Sequence, residues 1–450
     1  MLRVLILLGM LAPLSVGCSD DADACDGLAE ALGAAGSGDT VELQACTVSG
    51  QFQVGQGVAL VGSDGATLAS NTGVGLTLAE GATVRGLRIE TSGDFGIRIA
   101  GTATVDQVTM VATRGEALRV ESGIPTIRNT TLTGPVTEAN ATSTPADATM
   151  TAVRGLVLLS SGMAGSPVTL EEVSVSGFGE FGVVAQDSHL VWNGGSASGN
   201  LGTGLMVRGG SANLTGVELC GSFQGVRAIP SYAGVFASGA VIETRDLLVC
   251  DNEGYGLLQD DATTMHFDLI SRDNNEAGVW AQQGGSIDLD TQSMTGASAT
   301  LLSGNRLGGL VLVNVNQANV TQARFEMTRT APRIEPDLGE VRVGDGIHAV
   351  LPTATMLRIN EATLMGNERA GVLLNLMDGL APDGVFTNVT VDGTGAGLGV
   401  IAQSPTAVIP GGTWDMTIDR RGATAANDSM LTGPIDVVGI VEPMFLPRPM

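Results

Sequence analysis

The 450-residue sequence contains no lysine, so all 22 of its basic residues are arginines, and they are outnumbered by 47 acidic residues. The net charge of −25 argues against nucleic-acid binding, because a protein that neutralises phosphates needs a basic surface. It also argues against electrostatic docking on anionic lipid. Aromatic residues make up only 3%, whereas glycine occurs 64 times, a composition typical of short strands and tight turns.

The one long apolar run is at the N-terminus, where MLRVLILLGMLAPLSVGC combines Arg3, an apolar stretch and small residues before Cys18. This pattern predicts a secretory signal peptide over residues 1–17, since the run is too short and wrongly flanked for a spanning helix. Its ending LSVGC resembles the lipobox of bacterial lipoproteins, although Ser15 stands where leucine is usual. The resemblance implies diacylation of Cys18, a tether over 18–24 and membrane contact through lipid only. An ordinary cleaved signal peptide is the alternative.

Cysteines are few, and their number is odd. If Cys18 carries lipid, four of the five remain, and an exported chain can oxidise them. We predict the pairs Cys25–Cys46 and Cys220–Cys250. For the second pair the alternative is two stacked, buried free thiols.

Six segments share a turn residue, usually asparagine, followed four residues later by glycine and then by an aliphatic residue. The turn residues are separated by 22 positions between Asn252 and Asn274, and by 22 between Phe178 and Asn200. A period of this length, built from short strands and Gly/Asn turns, indicates a solenoid. Leucine-rich repeats need an LxxLxL pattern that is absent, which leaves a parallel β-helix. The six segments are 175–185, 197–207, 249–259, 271–281, 302–312 and 364–374.

The pattern of an apolar strand, then G-N, then G-[VL]-x-[VLA] resembles the right-handed parallel β-helix family of pectate-lyase-like and NosD-like proteins. The resemblance implies an all-β, right-handed parallel β-helix over 40–410. Residues 25–39 are predicted to form a helical N-terminal cap, because an uncovered coil end is an open sheet edge. The Pro-rich, apolar segment 411–450 is predicted to cover the other end. The fold hosts lyases, hydrolases, adhesins and phage tailspikes, so it does not specify a function.

Acidic residues recur at the repeat period. Asp251 and Asp273 are 22 residues apart and are therefore expected to stack about 5 Å from each other. With Asp260 and Asp261 nearby, the four carboxylates form a candidate cation or ligand patch, and Ca²⁺ is the one cofactor considered. The alternative is a solvated acidic turn, because no recognised calcium-loop motif occurs and the turn asparagines have a structural role.

Most catalytic motifs of pectate-lyase-like enzymes are missing. Asp260-Asp261 supplies a DD pair, but no NTD or GHG motif occurs, and a RIK motif or a lysine base is impossible without lysine. Arg245 and Arg272 are candidate bases, with surface ion pairs as the alternative. No zinc spacing, phosphate loop or nucleophile elbow is present. The three histidines are isolated in sequence and form no register-matched pair: His189, His266 and His348.

The x position of G-[VL]-x-[VLA] is expected to point outward, because its aliphatic neighbours point inward. This outer stripe is more apolar than solvent exposure favours, and Trp280 is its candidate aromatic platform for a glycan or protein partner. The alternative is a stripe already covered by an insert or by the C-terminal segment. The stripe is predicted to comprise Val184, Met206, Arg227, Leu258, Trp280, Val311, His348 and Leu373.

Together these features predict an exported bacterial lipoprotein of the cell envelope, anchored in the outer membrane without a transmembrane segment. Its predicted role is a non-catalytic binding or structural module. The alternative is a carbohydrate-active enzyme, a polysaccharide lyase or a glycoside hydrolase. The two are separated by whether acidic and arginine side chains converge beside an exposed sheet.

Overall fold

A computed structural model describes residues 14–16, 25, 27–136, 151–223, 233–291, 300–335, 339–351, 355–376, 383–392, 398–403 and 412–418. Four sequence predictions lie wholly or largely outside these ranges. They are the signal peptide over 1–17, the lipidation of Cys18, the tether over 18–24, and the C-terminal cover over 411–450, of which only 412–418 is described. No helix in the described part of the chain is long and apolar enough to cross a membrane.

Within these ranges the chain forms one helix, α1 (Leu28–Ala34), and 40 strands. The strands before the first long insert are β1 (Leu14–Val16), β2 (Thr40–Leu43), β3 (Thr47–Ser49), β4 (Phe52–Val54), β5 (Ala59–Gly62), β6 (Thr67–Ser70), β7 (Val74–Leu78), β8 (Thr83–Arg85), β9 (Arg88–Thr91), β10 (Phe95–Ala100), β11 (Thr104–Asp106), β12 (Thr109–Ala112), β13 (Arg114–Ser122) and β14 (Thr126–Thr133). The central strands are β15 (Thr151–Leu159), β16 (Val168–Ser176), β17 (Phe181–Ser198), β18 (Thr203–Thr215), β19 (Glu218–Cys220), β20 (Ala233–Ser238), β21 (Val241–Arg245), β22 (Leu248–Cys250), β23 (Tyr255–Asp260), β24 (Thr263–Phe267), β25 (Ile270–Arg272), β26 (Ala277–Gln282), β27 (Ser286–Asp290), β28 (Thr300–Ser303), β29 (Gly308–Val313), β30 (Gln317–Thr321) and β31 (Ala323–Glu326). The last are β32 (Ala331–Glu335), β33 (Gly339–Val343), β34 (Asp345–Leu351), β35 (Met356–Asn360), β36 (Thr363–Met365), β37 (Ala370–Leu376), β38 (Asp383–Asp392), β39 (Leu398–Gln403) and β40 (Gly412–Ile418).

The strands stack in register along three faces of a solenoid. In one coil, β23 lies on face one, β24 on face two and β25 on face three, and each pairs in parallel with the equivalent strand of the next coil. Among the described residues, every pairing between strands is parallel except the hairpin β32–β33, and one isolated antiparallel bridge joins Met163 to Ser166. The chain is a right-handed parallel β-helix, which confirms the predicted fold class. The stack continues to β40, beyond the predicted boundary at residue 410.

Side chains along each strand alternate between the inside and the outside of the solenoid, and the aliphatic ones on the inside form a continuous core. On face one, Leu257, Val279 and Leu310 are register partners and are fully buried. Each such side chain contributes about 1.5–3 kcal/mol when it is removed from water. The coil after each face-three strand then turns through a residue with positive φ. That position holds Gly177, Gly199, Gly221, Asp251, Asp273, Gly304, Met327 and Gly366.

Asparagines form a ladder along the inside of this turn. Asn252, Asn274 and Asn305 are buried, and the Nδ2 of each of the first two donates to the Oδ1 of the next, at 2.8 and 2.9 Å. The backbone N–H of Asn252 and of Asn274 donates to the same oxygens. The ladder satisfies polar groups that would otherwise be buried without partners, which explains why asparagine recurs in the sequence.

Two disulfides tie the fold together, as the sequence predicts. Cys25–Cys46 joins the segment before α1 to the first coil, where Leu28 and Leu32 of the helix pack on the core. Cys220–Cys250 joins register partners in adjacent coils, with Cα atoms 4.6 Å apart. The predicted helical cap and both predicted pairs are present.

Candidate functional site

The outward side of face one carries the predicted stripe, with one register error. Met206 pairs with Phe236 rather than with Arg227, and Phe236 pairs with Leu258. The prediction was wrong at this coil because GVRA (225–228) also fits the G-[VL]-x-[VLA] pattern, whereas the strand that pairs with β18 begins only at Ala233. Arg227 itself lies outside the described residues.

Trp280 is not an exposed platform, since it is only 1% exposed. Its ring packs edge-on against Tyr255 at a centroid distance of 5.5 Å, and its Nε1 donates to Gln282 at 2.9 Å. Gln282 in turn donates to Asp260 at 3.3 Å, and Asp260 is also buried. Leu258, Trp280 and Val311 of the stripe therefore belong to a second buried cluster, separate from the main core. The cluster comprises Ala233, Phe236, Tyr255, Leu258, Ala277, Trp280, Val311, Val313 and Val350.

The four predicted carboxylates do not converge. Asp251 and Asp273 occupy consecutive levels of the turn after face three, and both are exposed. Asp260 and Asp261 lie at the other end of β23, a strand whose six extended residues span about 16 Å. Asp251, Asp261 and Asp273 all have positive φ. Aspartate tolerates this left-handed conformation, which helps to explain why acidic residues recur at these turns. A calcium ion on either pair stays a prediction.

The two candidate arginine bases each contact an acidic neighbour. Arg245 lies 2.9 Å from Glu243 and its guanidinium covers the Phe267 ring at 4.6 Å. Arg272 lies 3.2 Å from Asp273. These are the partly exposed ion pairs that the sequence offered as the alternative, and such pairs contribute about 0–1 kcal/mol each.

Histidines occupy three different environments. His266 points into the core, and burial lowers its pKa to about 3. His348 lies on the outer side of face one, with Nδ1 3.2 Å from the buried carboxylate of Asp345, which also binds Arg369. Although burial opposes ionisation, Arg369 and His348 hold the pKa of Asp345 below its ordinary value. The remaining histidine, His189, is partly exposed on face two.

Acidic and arginine side chains do converge on face one, nearer the N-terminus, at positions that the sequence did not indicate. We name this group the glutamate–arginine cluster: Glu116, Arg119, Arg154 and Glu180. Glu116 Oε2 lies 3.2 Å from Arg119 Nε, and its Oε1 lies 3.6 Å from an Arg154 terminal nitrogen. Arg154 Nε donates to Glu180 at 3.3 Å. One guanidinium therefore contacts two carboxylates.

Two phenylalanines flank the cluster in the same outward column. Phe95, Glu116, Arg154 and Phe181 are successive register partners in β10, β13, β15 and β17. The Arg119 guanidinium lies 4.8 Å from the Phe95 ring centre, and that of Arg154 lies 6.0 Å from the Phe181 ring centre. Stacking of this kind orients the arginines over the sheet.

The two carboxylates differ in environment from ordinary surface acids. The Glu116 side chain is 12% exposed and that of Glu180 is 9% exposed, whereas Arg154 is 37% exposed. Burial raises the pKa of Glu116, and the charges of Glu180 and Glu121 raise it further, against the opposing effect of Arg119 and Arg154. The cluster thus holds a carboxyl group that retains its proton to higher pH beside a second carboxylate.

Sequence reasoning missed this cluster because of an insert. Glu116 and Arg154 are register partners but lie 38 residues apart, since residues 137–150 intervene. A signal was available in the matching aliphatic patterns ALRV (117–120) and GLVL (155–158), which align the two coils without a fixed period.

A metal centre is not formed by the thiol groups. Among the described residues, one trio of potential ligands lies within 4.8 Å: Glu218, Cys220 and Cys250. Because the two sulfur atoms are joined in a disulfide, neither is the thiolate that a metal binds.

Comparison with known proteins gives structural similarity only, since no family model and no curated protein matches the sequence. The A-module of Azotobacter vinelandii mannuronan C-5 epimerase AlgE6 is 13% identical, with a TM-score of 0.41, over 87% of this chain and 100% of that one. The AlgE4 A-module is 13% identical, with a TM-score of 0.41, over 91% and 98%. The tailspike gp49 of Pseudomonas phage LKA1 is 8% identical, with a TM-score of 0.38, over 85% and 78%. These identities are too low for any activity to be transferred.

Proposed function

We propose that this protein acts on carbohydrate through the glutamate–arginine cluster on face one. The observation that carries the proposal is the convergence of Glu116, Arg154 and Glu180 beside Phe181 on an outward sheet surface. This is the arrangement that separates the carbohydrate-active alternative from a purely structural module. The function therefore follows the alternative reading of the sequence rather than the main one.

The chemistry follows from the unequal environments of the two acids. A carboxyl group with a raised pKa can act as a general acid toward a glycosidic oxygen, while a second carboxylate stabilises or attacks the positive charge that develops on the sugar. Glu116 takes the first role because burial raises its pKa. Glu180 takes the second, and Arg154 holds both groups in position. Phe95, which is only partly buried, offers apolar surface to a sugar ring, whereas Phe181 is buried and supports Arg154 from below.

The test is a glycan array on the purified protein, followed by product analysis on every glycan that binds. Turnover with new reducing ends is expected for wild type. Glu116→Gln keeps the shape but removes the acid, so binding should remain while the rate falls at least 100-fold. Glu90→Gln, in the exposed Arg88–Glu90 pair, is the matched control and should be unchanged. Equal rates in the wild type and Glu116→Gln would exclude Glu116 as the acid.

A second candidate is a non-catalytic glycan-binding or structural module. It is favoured by the charge balance of the cluster, whose two arginines and two glutamates already neutralise each other. It is also favoured by the burial of Trp280 and its neighbours. Glycan binding without any product would support this module, and it would leave Glu116→Gln without a catalytic phenotype.

Export is consistent with the two disulfides, which form and persist in oxidising compartments. Lipidation of Cys18 and anchoring in the outer membrane are part of the proposal. Cys18→Ser should move the protein from the membrane fraction to the soluble fraction, as followed by immunoblotting. Retention in the membrane fraction would contradict a lipid anchor at this residue.

A further inference from the structure

Face two carries a groove that is unrelated to the glutamate–arginine cluster. Its volume is about 340 Å³, and it lies between the tight turn at Met163–Ser166 and the outward side chains of β17, β18 and β21. The walls combine polar His189, Ser211, Asn213 and Glu243 with apolar Met163 and Val241. Met163 is 62% exposed and Val241 is 55% exposed, which is high for large apolar side chains.

Within the groove, a hydroxyl and an imidazole are directly hydrogen-bonded. His189 and Ser211 are register partners in adjacent coils, and Nδ1 of His189 lies 2.8 Å from Oγ of Ser211. Neither side chain is fully buried, so the pair is accessible from the groove. A hydroxyl within hydrogen-bond reach of a basic nitrogen is the arrangement that activates a serine nucleophile.

We propose that this groove is a second active site, in which Ser211 and His189 hydrolyse short-chain carboxylic esters. Ser211 Oγ attacks the ester carbonyl while its proton passes to Nδ1 of His189, which requires the Nε2–H tautomer of the imidazole. The proton is then delivered to the departing alkoxide, so that the alcohol leaves and an acyl-serine remains. Water adds to the acyl group with His189 as base, which releases the carboxylic acid and restores Ser211.

The neighbouring residues suit this chemistry. Asn213 lies two positions along β18 on the same side of the strand, and a side-chain amide is a suitable donor to the oxyanion of the tetrahedral intermediate. Met163 and Val241 provide apolar contact for a short acyl chain. In the described part of the chain no carboxylate contacts His189, so we expect slow turnover compared with a complete triad.

A fluorophosphonate probe tests the proposal on the full-length protein. One adduct per chain is expected by intact mass, located on Ser211 in the tryptic peptide 209–227, which trypsin releases after Arg208. Ser211→Ala should abolish the adduct, and His189→Gln should slow its formation at least tenfold. Thr263→Ala, one coil beyond Val241 in the same column, is the matched control and should label like wild type.

The same variants are assayed for hydrolysis of p-nitrophenyl acetate, and circular dichroism confirms that each is folded. Loss of hydrolysis in Ser211→Ala, with wild-type hydrolysis in Thr263→Ala, supports the site. The proposal is overturned if wild type forms no adduct on Ser211, or if folded His189→Gln labels as fast as wild type. Because the groove and the glutamate–arginine cluster lie on different faces, Glu116→Gln should leave labelling unchanged, which separates this result from the glycan proposal.

Discussion

Acid should destabilise this protein through one buried histidine. His266 lies on β24 with its side chain inside the solenoid, where Nδ1 is 2.9 Å from the hydroxyl of Thr244 in the preceding coil. Leu289 is its partner in the next coil. Because the ring is fully buried among such neighbours, burial lowers its pKa to about 3, and the native state holds it neutral.

The sign and size of the effect follow from linkage. In the unfolded chain a histidine has a pKa near 6.5, so below that pH the unfolded state binds a proton that the native state does not. The contribution of neutral His266 to the free energy of unfolding is therefore fully present above pH 6.5, and it is lost as the pH falls toward 3. At about 1.4 kcal/mol per pH unit, the loss at pH 4.5 is about 2.7 kcal/mol.

Urea unfolding of wild type and His266→Gln, at pH 7.5 and pH 4.5, measures this contribution. Glutamine does not titrate and can still contact Thr244. Because the carboxylates titrate in both proteins, subtracting the pH dependence of His266→Gln from that of wild type leaves the effect of His266. Wild type should lose about 2–3 kcal/mol more than His266→Gln between the two pH values. His189→Gln removes a partly exposed histidine and should retain the wild-type loss. Identical pH dependence in wild type and His266→Gln would refute the reasoning.

Three further outcomes are expected, each measured by urea unfolding. Asn274→Ala removes the acceptor for two buried N–H groups of Asn252 and should cost about 2–5 kcal/mol, so a loss below about 0.5 kcal/mol would contradict the ladder. Replacing Cys220 and Cys250 together by alanine opens a loop across 30 residues and should cost about 3–4 kcal/mol, provided that mass spectrometry of the wild type detects no free thiol there. Asp251→Gly should be tolerated, whereas Asp251→Val should cost about 1–2 kcal/mol because φ is +53°. Equal stability of these two variants would contradict the strained turn.

Repetition in the sequence was sufficient to predict the fold, because each coil has the same local structural requirements. Asn252 and Asn274 recur 22 residues apart since each must bond to its copy in the next coil. Cys220 lies 22 residues after Ser198, its register partner in the preceding coil, and it pairs in turn with Cys250, to which the disulfide joins it.

The candidate sites were harder to predict than the fold. Inserts break the period, and residues close in sequence can lie at different corners of a coil. Asp251 and Asp260 are close in sequence, yet the extended strand between them separates the two corners of the coil. Trp280 does point away from the main core, as its position in the strand predicts, but its exposure depends on what packs over it. Burial is a property of the whole chain, so periodicity alone does not determine it.

The sequence by itself determined the solenoid, its asparagine ladder and the Cys220–Cys250 disulfide, because these depend on local repetition and on short distances between adjacent coils. The helical cap and Cys25–Cys46 were predictable for other reasons, because an open coil end needs a cover and because only four cysteines remain after Cys18. Only the tertiary structure showed that Glu116 meets Arg154 across the insert at 137–150, and that Ser211 and His189, which the 22-residue period makes register partners, are hydrogen-bonded on an accessible surface. Stacking turns distant residues into neighbours about 4.8 Å apart. Which residues meet therefore depends on the register of every coil, and the length of each insert changes that register.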